Sequence, residues 1–435
     1  MNDLTSQYAL RHELRGEFIV LRVLVFCCII YLFLQVASMF RLFGVPGIPP
    51  LLLLGYRTLD LLVIGSFLLY CGTRLRIRWH DLPFLLMIPS PILIGIGQGN
   101  LNITFFNDIA IFVFFALKVL VIRTLITRFM EKTDFDEVFL SYARRIISRS
   151  ILAALLMLML AFAAWSSGIR FYYQAPAELT LAAALAVARG KMPLYLIILA
   201  LAAMGGKRGT MIGIMSIGVL GLMRRRNLGQ AVLSVLALAI VFFVFVAVFG
   251  ASSLPGDAPF VRRLTGTLAT ITSAANETQD WLELLMFLDP SRFVEYVSLK
   301  PYLEGWALWF GNGFGFRYNL DANFLSDFGR LASENTVSNA HFTPLAIVAK
   351  FGVVGLALWL VQVLGILFSR RDSQSYFQTA CMLGFISMMF HSMFSFSFFI
   401  SFFTPIFVAG ATLRRPRRAG ARTAGVRTIH LTEVK

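Results

Sequence analysis

The chain has 435 residues, of which 58% are hydrophobic and 14% charged, with mean hydropathy +0.75. Soluble domains carry about 25% charged residues, so a soluble multidomain protein is excluded and a polytopic membrane protein is expected. The net charge of +16 would point to nucleic acid in a soluble chain. Here the basic residues fall in clusters between apolar runs, so the charge reads as membrane orientation, and no nucleic-acid partner is expected.

Window length and basic clusters predict an all-α polytopic membrane protein of about twelve transmembrane helices, each able to cross roughly 30 Å of hydrocarbon. The predicted spans are 18–40, 49–71, 82–98, 104–122, 149–167, 178–190, 193–205, 209–223, 229–250, 343–368, 375–391 and 393–412. The first is too long for a signal-peptide core and lacks a small-residue cleavage site, so it reads as a retained anchor. The spans 178–190 and 193–205 are short, as expected of helices that are tilted, re-entrant or buried among neighbours. Cys27, Cys28, Cys71 and Cys381 lie in or beside apolar helices without metal-ligand spacing, and no disulfide framework is expected.

With the N-terminus inside, the clusters Arg74/Arg76/Arg78, Arg123 to Arg149, Arg189/Lys191, Arg224 to Arg226, Arg370/Arg371 and the tail from Arg414 to Arg427 all fall inside as well. The chain then divides into residues 1–250 with nine spans, 251–342 as one large external loop with short helices, 343–412 with three spans, and 413–435 as a basic tail contacting anionic lipid. The external loop carries its own apolar periodicity at Trp281 to Phe287 and at Phe293 to Leu299.

Three external features carry chemistry. Lys207 and Arg208, in MGGKRGTMIG, break the charge bias at a glycine-flanked turn, where a helix N-terminus and a planar guanidinium suit an anion. The bland account is an interfacial turn with charges snorkelling to headgroups. Arg292, in SRFVEY, sits on an amphipathic stretch, where Glu295 three residues on reads as a structural partner. GWALWFGNGFGFRY follows, and without a Walker lysine its glycines read as a tight, aromatic-lined turn. His341 stands where the loop meets the next span and is able to exchange a proton near neutral pH, whereas His391 reads as a packing residue. There is no HExxH or CxxC, and the acids Asp134 and Asp136 read as a solvated charge run.

Taken in order, KRGTMIG, then SRFVEY with GNGFG, then His341 followed by Leu345, Val348, Gly352 and Gly355, resemble the O-antigen ligase and O-antigen polymerase superfamily of bacterial inner-membrane glycosyltransferases. The resemblance covers mainly 200–370. Phe342 stands where the family has a polar amide or hydroxyl, and Lys350 where an acid is common. The resemblance implies a GT-C-like helical fold with both termini cytoplasmic and the large loop periplasmic. It implies metal-independent, inverting transfer, without a cofactor, from an undecaprenyl-diphosphate-linked glycan donor to a saccharide acceptor. By the same resemblance Arg208 and Arg292 would hold the diphosphate, and His341 would orient or deprotonate the acceptor hydroxyl. Lys207 would help the two arginines, and Arg263, which equally suits contact with lipid headgroups, Arg317 and Gly313 complete the candidate substrate-binding set.

Polymerases, ligases acting on lipid A–core and oligosaccharyltransferases share this donor. Phe342 tilts the choice to the polymerase or exopolysaccharide branch. A lipid-linked oligosaccharide flippase or other transporter is the alternative of a different class, expected to show repeats and broken helices near the midplane. A helical scaffold is the third, and it leaves the Arg208, Arg292 and His341 set unexplained.

Overall fold

The computed structural model describes residues 13–40, 48–166, 179–204, 208–224, 290–320, 336–369, 375–393, 395–396 and 398–413. Their helices are α1 (Arg15–Ser38), α2 (Ile48–Cys71), α3 (Leu82–Met87), α4 (Pro89–Gly97), α5 (Ile103–Lys132), α6 (Phe135–Ser166), α7 (Leu179–Ala188), α8 (Met192–Met204), α9 (Arg208–Arg224), α10 (Pro290–Leu299), α11 (Trp306–Phe310), α12 (Thr343–Leu367), α13 (Tyr376–Ser392) and α14 (Thr404–Ala411). The described strands are a two-residue antiparallel pair, β1 (Tyr318–Asn319) and β2 (Thr336–Val337).

Among the described residues, six segments are long and apolar enough to cross a membrane: Arg15–Ser38, Leu54–Cys71, Trp79–Gly97, Ile103–Lys132, Phe135–Ala164 and Thr343–Leu367. The chain is therefore mostly helical and of membrane type. α7 to α9 are shorter apolar helices. Every residue from Leu179 to Val187 is buried, so α7 is enclosed by its neighbours. The expected span 229–250 and the patch Trp281 to Phe287 lie outside the described residues.

The span expected at 393–412 is corrected. Around Phe396 to Phe403 the described chain is not helical, and α14 begins only at Thr404. Phe396, Phe398, Phe399, Phe402 and Phe403 are all buried. On a helix these five rings would share one broad face, so their spacing alone does not reveal the irregular backbone. In the irregular backbone all five point inward, where Phe399 stacks on Phe84 at 5.7 Å and Phe398 meets Trp359 edge-on at 5.8 Å.

α5 is the central strut, and each charge it buries is met by another element. Asp108 pairs with Lys350 of α12 at 2.5 Å, Lys118 with Asp60 of α2 at 2.6 Å, and Arg123 with Asp81 at 2.8 Å. Uncompensated, each would carry a desolvation cost of several kcal/mol. The reading of Asp136 as solvated is also corrected. It accepts hydrogen bonds from the Ser375 hydroxyl and from the backbone N–H groups of Tyr376 and Phe377 at 3.1–3.2 Å, capping α13.

α12 is broken at Gly352, whose φ of 70° and ψ of −172° are non-helical. The GNGFG turn fills the break. The backbone N–H groups of Asn312 and Gly313 donate to the carbonyls of Ala349 and Lys350 at 2.9 and 3.1 Å, and Phe314 N–H donates to Pro91 O at 2.8 Å. Residues 311–316 are buried, with Phe314 between Phe112 and Phe351. Irregular backbone beside a membrane span is tolerated only when enclosed and hydrogen-bonded in this way.

Candidate functional site

α10 is a short amphipathic helix whose inward face holds Val294, Glu295, Ser298 and Leu299, all buried. A carboxylate on that face needs donors. Glu295, 4% exposed, has three. Its Oε2 accepts from the backbone N–H of His341 at 3.0 Å and lies 3.5 Å from Arg292 Nη1, while its Oε1 is hydrogen-bonded to His341 Nδ1. A carboxylate only accepts, so Nδ1 carries a ring proton, and in the neutral ring the lone pair is on Nε2. The His341 side chain is 57% exposed, so the ring is open to its surroundings.

Local sequence places His341. Ala340 is buried, Phe342 is extended, and Pro344 in the first turn starts α12 immediately beyond. Pairing of Tyr318 with Val337 and of Asn319 with Thr336 brings the chain after the glycine-rich turn back beside this point. β1 also packs against α10. Tyr318 is 2% exposed, and its hydroxyl is buried without a hydrogen-bond partner. Burial, with the Glu295 carboxylate adding to it and Arg292 opposing, pushes its ionisation well above the ordinary tyrosine range.

The structure thus joins Arg292 and His341 through one buried carboxylate. The i,i+3 pair of Arg292 and Glu295 expected from sequence is present. The bond from Glu295 to His341 was missed. Its signal was an acid among the apolar positions 294, 298 and 299 of an amphipathic helix. Arg208 begins α9, and its side chain lies outside the described residues. Thr210 meets His391 at 3.3 Å, and Thr343 donates to Ser395 O at 2.9 Å, so the start of α9 and His341 share one end of the bundle. His391 is buried there, as expected of a packing residue.

Two other residues of the expected set pack against the start of α5 and against α4. Arg317 donates from Nε to the Thr104 hydroxyl at 2.8 Å. Gly313, at φ 77°, packs so closely that a Cβ would meet Gly95 N at 2.4 Å. Lys207 and Arg263 lie outside the described residues. Among the described residues no three His, Cys, Asp or Glu side chains gather as metal ligands do.

The arrangement offers a base held in one tautomer by a buried acid, beside a guanidinium. Compared with known families and with curated proteins, the chain matches no family model and no curated protein.

Proposed function

We propose that the protein is a bacterial inner-membrane glycosyltransferase. It would transfer a glycan from an undecaprenyl-diphosphate-linked donor to an acceptor sugar hydroxyl at the periplasmic face, in O-antigen or exopolysaccharide assembly. The observation that carries this reading is the Glu295 bridge between Arg292 and His341. In the proposed step the acceptor oxygen attacks the anomeric carbon, and its proton passes to His341 Nε2. The bond from that carbon to the diphosphate oxygen breaks, and the leaving group takes the electron pair. Inversion at the anomeric carbon follows from the single displacement.

Glu295 stabilises the imidazolium that forms, as the acid of a Ser-His-Asp triad does. Arg292, with Arg208 at the same end, offsets the charge growing on the diphosphate and supplies stabilisation without a metal. The approach of a diphosphate competes with Glu295 for Arg292 across a contact that is already long. The polymerase reaction is placed ahead of the ligase reaction because Phe342 departs from the amide or hydroxyl of the ligase pattern that the sequence resembles.

A transporter is the second reading, favoured by the break in α12 and by the buried ion pairs on α5. Against it, the Ala349 and Lys350 carbonyls at the break are already bound by the chain itself. The test is a deletion strain complemented with wild type, Arg208→Ala, Arg292→Ala or His341→Ala, read by surface-glycan gels and lipid-linked intermediates. All three variants are expected to fail at normal expression. Accumulated single repeats then indicate a polymerase, and finished lipid-linked chains absent from lipid A–core indicate a ligase. Normal profiles from all three would move the transporter ahead.

A further inference from the structure

α11 is five residues long, WALWF, yet it presents two large aromatic side chains outward. Trp306 is 77% and Trp309 56% exposed, with Tyr302 and Leu308 exposed beside them, whereas Trp359 is buried. Its backbone is fixed against a membrane span. A Cβ on Gly352 would meet the Trp309 carbonyl at 2.1 Å, and one on Gly311 would meet the Lys350 carbonyl at 2.3 Å. At 1.5 Å per residue, Gly352 lies about 13 Å along α12 from Thr343. α11 therefore sits beside the span, not above it.

What it meets there follows from its surroundings. Val353 and Val354, next to Gly352, are exposed, as are Leu360, Val361 and Leu364 further along α12. This is the lipid-facing stripe of a membrane helix, and the outward tryptophans continue it toward the end that bears His341. The segment also meets the backbone condition for that depth, because Gly311, Asn312, Gly313 and Phe314 all donate to carbonyls of the protein. Indole pairs an apolar ring with one N–H donor, which suits the boundary between acyl chains and headgroups.

We propose that α11 is a re-entrant helix seated in that boundary, with Trp306 and Trp309 in direct contact with bilayer lipid. Only residues 303–305 separate it from the turn Lys300–Tyr302, which ends α10. The lipid seat therefore sets the height of α10, and with it Arg292 and Glu295, relative to the membrane surface. This inference needs the membrane character of the chain and not the glycosyltransferase reading.

The test is tryptophan quenching in vesicles of phosphatidylcholine and phosphatidylglycerol containing lipids brominated at acyl positions 6,7 or 11,12. The full chain, with its six tryptophans, is compared with Trp306→Phe, Trp309→Phe and the double variant. The wild type is expected to lose a larger fraction of emission to the 6,7-bromines than the double variant, with a smaller difference for the 11,12-bromines. If the double variant does not fold, either single variant reads the same difference. Equal quenching of wild type and variants by both lipids would overturn the proposal. So would tryptophans shielded from lipid and from aqueous acrylamide alike, which would place a second copy of the chain on this face.

Discussion

Glu295 has to satisfy two demands at once: it must be buried on the inner face of α10, and it must be paired. The second demand is met 46 residues along the chain, at His341. Glu295→Gln keeps the shape and the bond from the backbone N–H, but loses the negative charge that supports a protonated imidazole. Transfer is expected to fall roughly 10²- to 10⁴-fold with the folded fraction unchanged, as initial rates and a thermal melt would show. Tyr318 makes the opposite case. Its hydroxyl is buried and unpartnered, so Tyr318→Phe is expected to leave stability unchanged or raise it by about 1 kcal/mol. The ionisation of Tyr318 is pushed up in the fold, so its contribution is fully present below about pH 10 and is lost as the pH rises further. Melts above pH 10 should show the wild type losing stability faster than Tyr318→Phe. At this scale Arg292 and His341 stand out in the sequence because a cationic group on an amphipathic helix and a histidine at a loop–span junction are local patterns. The bond that joins them is a tertiary contact with no periodicity of its own.

At the scale of elements, the broken α12 and the turn that fills it are one device. Gly352→Ala would force a side chain into the Trp309 carbonyl at a left-handed φ, and Gly311→Ala would do the same against Lys350. Each is expected to cost several kcal/mol and to lower folded yield sharply in detergent, as size-exclusion profiles would show. Gly65→Ala on α2, where a Cβ meets nothing within 4 Å, is the contrasting case and is expected to stabilise by about 0.5–1 kcal/mol. The buried pair behind the break gives a second test. Asp108→Asn strands the charge of Lys350 and is expected to cost about 3–5 kcal/mol, and adding Lys350→Met should recover most of it in thermal midpoint. The long helices were legible because eighteen or more apolar residues dictate one outcome in a bilayer. α14 was not, since a phenylalanine-rich run reads as apolar whichever backbone carries it. Lys350 looked like a lone departure from an acidic position. Its counter-charge, Asp108, lies on a different helix.

For the molecule as a whole, three ion pairs gather at one end of the bundle. Arg76 pairs with Glu131, Arg128 with Glu17 and Lys132 with Glu13, all at the end away from His341. The orientation read from sequence as positive-inside rests on the same residues, and it puts His341, Arg292 and the start of α9 together on the other face. The most direct test of the central claim is a reconstituted transfer reaction. Proteoliposomes would carry the full chain, an undecaprenyl-diphosphate-linked glycan, a saccharide acceptor and EDTA. Wild type is expected to form the glycosidic product and release undecaprenyl diphosphate, while His341→Ala and Glu295→Gln, folded to the same extent, release little. A wild type that releases none, or variants that match it, would contradict the account.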